Sequence, residues 1–199
     1  MAHPCIVVAG MGRCGTSLTM QMLDAGGIPC VGRFPDYETD AGLPSHFDAK
    51  HFARMSDCAI KLIGPANLPI GGMPDHVVIW LDRDPREQAK SQVKMASLLA
   101  PIDNARRAIR LFEKDLRKSR AKHRAAVCVP GGVPSVSVSF EGLLAHPSHV
   151  AKAIADFLAE NGWRGLDVSR MARQVRPRAA QCFPGFMEEQ ILASRRLAA

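Results

Sequence analysis

The alternation of apolar strand-like runs with helical segments predicts an α/β fold, three layers deep, with a parallel sheet between two layers of helices. Two stretches carry the prediction. Ile6-Val7-Val8-Ala9-Gly10-Met11-Gly12-Arg13-Cys14-Gly15-Thr16-Ser17 reads as a buried strand, a glycine-rich turn and the start of a helix. Val77-Val78-Ile79-Trp80-Leu81 is a continuous apolar run, the pattern of a strand covered on both faces. Ligands of such sheets bind at the carboxyl ends of the strands. Both the Gly10–Ser17 loop and the Asp82–Pro85 corner fall at such ends.

Taken in order, the first strand covers Cys5 to Ala9 and the first helix runs from about Thr16 to Ala25, where Gly26-Gly27 ends it. Residues 29–49 are rich in Pro, Gly, Asp and aromatic residues and read as a long loop of the kind that carries function. Ala59 to Ile63 is a short apolar strand, followed by a Pro/Gly-rich connection through Pro74. After the 77–81 run, Asp84 caps a helix, Pro85 takes its first position and Glu87 completes a capping box. Ala105, Ala108, Ile109, Phe112 and Leu116 recur at helical spacing, and the opposite face of that helix is strongly basic. Val136 to Phe140 is a further strand. Val150, Ile154, Phe157 and Leu158 mark a last amphipathic helix, with Gly162 near its end.

At 199 residues and 47% hydrophobic, the chain can bury its core as one domain over residues 1–199. A net charge of +7 suits anionic partners without choosing among nucleic acid, anionic lipid and a phosphorylated small molecule. The six cysteines (Cys5, Cys14, Cys30, Cys58, Cys128, Cys182) show no C-x-x-C pair, so neither a zinc site nor a disulfide framework is expected. The first strand begins too early to leave room for a signal peptide, and no apolar run has the length of a membrane span. The expected setting is soluble, reducing and cytoplasmic.

Gly10 and Gly15 have the spacing of a P-loop, G-x-x-x-x-G-K-S/T, but Thr16 stands where that loop carries its lysine, and Arg13 lies inside it. Glycines and a helix N-terminus still offer N–H groups and a positive dipole end. The cation that bridges the last two phosphates of ATP is missing. The loop therefore reads as an anion site not tuned to a triphosphate. Arg83 leaves its strand at the same edge, and Ser91 lies two turns into the next helix. An arginine fork and a hydroxyl so placed can hold a second phosphate.

G-x-x-R-S/C-G-T-S/T after the first strand, and R-D-P-x-x-x-x-x-S after a later one, resemble the sulfotransferase family. Val138-Ser139-Phe140-Glu141-Gly142-Leu143-Leu144-Ala145-His146-Pro147 is similar to its Y-E-D-L-L-x-x-P segment. The resemblance spans roughly the whole chain, strongly at the first two motifs and weakly between Pro29 and Lys50. It implies a P-loop nucleotide-hydrolase-like fold and transfer of a sulfuryl group from 3′-phosphoadenosine 5′-phosphosulfate (PAPS), leaving adenosine 3′,5′-bisphosphate (PAP), without a metal. By that resemblance Gly12, Arg13, Cys14, Gly15, Thr16 and Ser17 hold the 5′-phosphosulfate, and Arg83 and Ser91 hold the 3′-phosphate.

An acceptor hydroxyl or amine of a small molecule would attack sulfur in line, with fixed cations and N–H donors meeting the developing charge. Arg13 and Lys61, near the end of the second strand, suit that role. A general base contributes about 10²–10⁴-fold. Phe47-Asp48 is similar to the family's Y-F-E element, so His46 and Asp48 are the candidates, with His51 nearby. Three departures stand out. Arg13 replaces the lysine of the cytosolic animal branch and is similar to the bacterial and carbohydrate-modifying branches. Cys14 replaces a serine, and the C-terminal R-K-G-x-x-G-x-W segment is absent, leaving Arg176 or Arg178 to stand in for its phosphate contact.

Other readings compete. Val77 to Asp82 imitates a strand ending in a magnesium-binding aspartate, as in a P-loop kinase using ATP and Mg²⁺. A non-catalytic nucleotide-binding module, or a basic protein docking on nucleic acid through residues 106–124, is the third reading. That helix lacks interleaved aromatics, which argues against a stacking mode for single strands. Its basic face reads as solvated. Arg83 alone also reads as a surface ion pair with Asp84 or Glu87. Cys14 reads as a passive neighbour of the loop, against the alternative that Arg13 and the helix N-terminus lower its pKa. The short chain leaves little for an acceptor lid, which points to an open site or to a second subunit, as in a homo-oligomer.

Overall fold

The computed structural model describes residues 3–38, 55–67, 75–128 and 132–176. Four strands, β1 (Cys5–Gly10), β2 (Ala59–Ile63), β3 (His76–Asp82) and β4 (Ser135–Ser139), form one parallel sheet in the order β2-β1-β3-β4. The helices are α1 (Thr16–Ala25), α2 (Pro85–Leu99), α3 (Ala105–Cys128), α4 (Phe140–Ala145), α5 (Pro147–Glu160) and α6 (Val168–Arg173). A 3₁₀ turn, Pro65–Asn67, follows β2.

The two faces of the sheet bury separate cores, as the alternation of side chains along a strand requires. Ile6, Val8, Ile79 and Leu81 pack with Leu18, Met22, Leu143, Ile154 and Met171 on the side of α1 and α4 to α6. Val7, Ala9, Ile60, Leu62, Val78 and Trp80 face the other way, with Val127 of α3 against them. Met11, Ala89 and Leu116 join α2 and α3 to the start of the loop. The three-layer α/β/α expectation holds, and every strand pair is parallel. Among the described residues no helix is long and apolar enough to cross a membrane.

Details differ from the sequence reading. β1 runs one residue further, to Gly10, which lies opposite Ile63 on one side and Leu81 on the other. β4 stops at Ser139, because the Ser139 hydroxyl accepts the Gly142 N–H and starts a helix there. Phe140, expected in the strand, therefore opens α4. Asp84 caps α2 through the Arg86 and Glu87 N–H groups, with Pro85 first. The Asp84 N–H, however, donates to Glu141 Oε1, and Glu87 accepts from Lys90. The capping box is thus closed from α4. The short α6, unread in the sequence, packs Met171 against Gly26 at the end of α1.

Candidate functional site

The loop between β1 and α1 is shaped by two glycines. A Cβ on Gly10 would collide with Cys14 Sγ and stand 2.9 Å from the Leu81 carbonyl, so the chain can fold back there only without a side chain. Gly15 has φ 103°, a left-handed conformation, and a Cβ there would lie 2.8 Å from Phe140 Cδ2. Arg13, at φ 73°, shares the left-handed region. α1 then starts without a side-chain cap and without an acidic residue in its first turn. No carboxylate in that first turn offsets the positive dipole end of α1, an arrangement that suits an anion.

Arg83 leaves β3 beside this loop. Its guanidinium carbon lies 4.4 Å from the centre of the Phe140 ring, and Nη1 donates to the Arg13 carbonyl at 3.0 Å. Only 7% of Arg83 is exposed, so the cation is held under the protein surface by a ring face and a carbonyl. Arg13 in turn donates from Nε to Ser91 Oγ at 3.1 Å, and Ser91 is buried. Loop, Arg83 and Ser91 are therefore one connected unit, with Arg13 as the link.

Lys61 comes in from β2 on the other side. Its side chain is 3% exposed, and Nζ lies 3.5 Å from Ser17 Oγ and 3.1 Å from Glu38 Oε1, with a further bond to the Asp36 carbonyl. Burial pushes the Lys61 pKa down, and the Glu38 carboxylate beside it opposes that shift. The Cys14 side chain points into the core beneath the loop, so only its backbone faces the site. Burial pushes the thiol up to about 12, overriding the Thr16 N–H that opposes it. That corrects the alternative of an activated thiol: Cys14 stays neutral.

Arg176 is exposed just beyond α6. His46, Asp48, His51 and Arg178 lie outside the described residues.

Four residues at the site carried no signal of their own in the sequence. Phe140 supplies the ring under Arg83. Gln88 Nε2 donates to the Met11 and Gly12 carbonyls, both at 2.9 Å, and Gln92 Nε2 also donates to Gly12 at 2.9 Å. Arg120, counted in the solvated face of α3, instead reaches the sheet edge. Its Nη2 donates to the Arg83 carbonyl at 2.9 Å and to Gln88 Oε1 at 3.0 Å, and its Nε lies 3.3 Å from Asp82 Oδ1. The only hint was that Gln88, Ser91 and Gln92 share one face of α2 by their i, i+3, i+4 spacing.

No protein-family model matches the sequence, and no curated protein matches it. Solved structures do match the fold. Retinol dehydratase, in a complex with androsterone and the inactive cofactor PAP, aligns with a TM-score of 0.51 at 16% identity, over 86% of this chain. This chain spans 63% of that protein's length. The sulfotransferase STF9 of Mycobacterium avium aligns with a TM-score of 0.55 at 14% identity, over 99% of this chain and 76% of its own. A sulfotransferase from Alicyclobacillus acidocaldarius gives 0.53 at 16% identity, over 100% of this chain and 93% of its own. With a parallel four-stranded sheet among its described residues and the glycine loop, the chain has the P-loop-like fold of the sulfotransferases.

Proposed function

We propose that this chain, as a single domain, is a PAPS-dependent sulfotransferase acting on a hydroxyl or amine of a small acceptor. The observation that supports it best is the junction of Arg83 and Ser91 with the Gly10–Ser17 loop through Arg13. Two elements suited to anions at a strand edge fit a nucleotide phosphorylated at both ends, and the fold likeness to sulfotransferases and to retinol dehydratase, the latter solved with PAP, agrees. The kinase reading fares worse, because Asp82, its candidate magnesium ligand, faces the Arg120 guanidinium.

In this reading the N–H groups of residues 12–17 and the α1 N-terminus take the 5′-phosphosulfate, while Arg83 and Ser91 take the 3′-phosphate. Arg13 and Lys61 stabilise charge on the leaving phosphate and the sulfuryl oxygens. The acceptor's oxygen or nitrogen bonds to sulfur as the sulfur–oxygen bond to the phosphate breaks, and PAP leaves with the electron pair. His46 or Asp48 takes the acceptor's proton. The protein's own cations suffice for this, without a metal. The test is release of PAP from PAPS in EDTA across a panel of phenols, alcohols and amines. Acceptor-dependent release that Arg13→Ala abolishes supports the reading. Release from no acceptor, together with phosphorylation from ATP that requires Mg²⁺, overturns it.

A further inference from the structure

Behind the glycine loop lies a set of side chains that the two-phosphate reading does not use. In a trans peptide the C=O of one residue and the N–H of the next point in opposite directions, and no cis peptide is found in the loop. Holding the Met11 and Gly12 carbonyls on Gln88 and Gln92 therefore turns the N–H groups of Gly12 and Arg13 away from α2. Holding the Arg13 carbonyl on Arg83 likewise sets the Cys14 N–H. Successive N–H groups around a left-handed residue, here Arg13, form an anion-binding concavity. The donors of the site are thus aimed by what grips the opposite ends of their peptides.

Gln88 can do this in one orientation only. Turned the other way, its Oε1 would face the Met11 and Gly12 carbonyls, acceptor against acceptor. Arg120 selects the working orientation by donating from Nη2 to Oε1. Gln88 is 1% exposed, so water cannot substitute for that donor. The same Nη2 grips the Arg83 carbonyl, and Nε faces Asp82, so one guanidinium braces both the loop and the strand end that carries Arg83.

We propose that Gln88 and Arg120 are positioning residues: Arg120 sets the amide of Gln88, Gln88 sets the loop peptides, and anion affinity depends on the pair although neither faces the anion. The identity of the ligand rests on the function proposed above; the aiming of the loop does not.

The test compares Gln88→Met, Arg120→Met, Arg120→Lys and the double Gln88→Met/Arg120→Met with wild type, at a temperature where all are folded by circular dichroism. Two readouts are taken: PAP affinity by calorimetry, and amide resonances of Gly12, Arg13 and Cys14 in the ligand-free protein. Gln88→Met is expected to weaken PAP by about tenfold or more, the scale of a lost buried hydrogen bond. Arg120→Met weakens it less, Arg120→Lys recovers part of the loss, and the double variant falls short of the product of the two single effects. The three amide resonances shift or broaden in both Met variants. Wild-type affinity with unmoved amides, or full multiplicativity in the double, overturns the proposal. If wild type does not bind PAP, the functional reading fails instead. The amides then decide alone: unmoved resonances overturn the positioning role, and moved ones support it.

Discussion

Gly15→Ala tests the loop geometry at its tightest point. The residue sits at φ 103°, where a side chain is strained, and its Cβ would press to 2.8 Å from the Phe140 ring. Placing an L-residue in the left-handed region costs about 1–2 kcal/mol. Displacing a packed ring costs roughly another 1–3 kcal/mol. A loss of about 2–5 kcal/mol is thus expected, a large part of a typical domain's ~5–15 kcal/mol. With a urea m-value of roughly 2 kcal/mol/M, the midpoint should fall by about 1–2.5 M at unchanged m. Phe140→Leu in the same background separates the two parts: it relieves the ring contact but not the backbone. A favourable coupling of about 1–2 kcal/mol in the double-mutant cycle is expected. Because Arg83 lies on the same ring at 4.4 Å, Gly15→Ala should also weaken anion binding at temperatures where the variant is folded. A change within about 0.5 kcal/mol, the scale of an ordinary surface substitution, would refute the strain argument. An equal penalty with and without the ring would refute the steric half.

Further outcomes follow from individual groups. Arg83→Met should weaken PAP by about tenfold or more by calorimetry, the scale of one charge-assisted hydrogen bond, and adenosine 5′-phosphate by clearly less, since only the grip of Arg83 on the Arg13 carbonyl bears on that end. His123 is buried, and its Nδ1 accepts the Ala66 N–H at 3.0 Å. Burial holds its pKa below the ordinary 6.5, with Lys122 adding to the shift and Asp115 opposing it. The unfolded chain then takes up the proton first as pH falls. This contribution to stability is intact above about pH 6.5 and is lost below it, by at most about 1.4 kcal/mol per pH unit. Urea midpoints between pH 7.5 and 5 should show that fall, and His123→Gln should flatten it. Cys14 should resist iodoacetamide at pH 8 in the folded protein and react once unfolded, as mass spectrometry of the loop peptide would show.

The sequence disclosed the parts whose signal is local. An unbroken apolar run such as Val77 to Leu81 has few alternatives to a buried strand. Gly10 and Gly15 are demanded by contacts that no other residue permits. Arg83 and Ser91 were legible because a strand end and a helix turn place them by simple geometry. Lys61 was placed by the strand that ends beside the loop, and it lies against Ser17. Arg120 was not legible. It sits among other arginines and lysines on α3, and its difference from them is a contact with Arg83 and Gln88, far away in sequence. Phe140 was misread because its aromatic side chain suits a strand, whereas the hydroxyl of Ser139 decides the local backbone. Phe112, counted with the apolar stripe, is 39% exposed, since helical spacing says which face is apolar but not how far a neighbour covers it.

The most direct measurement is calorimetric titration of the wild-type chain with PAP, and with ADP in the presence and absence of Mg²⁺. PAP is expected to bind without metal and clearly more tightly than ADP, in a manner that Arg83→Met abolishes. Tighter binding of ADP that requires Mg²⁺, with PAP no better than adenosine 5′-phosphate, would contradict a site built for two separate phosphates.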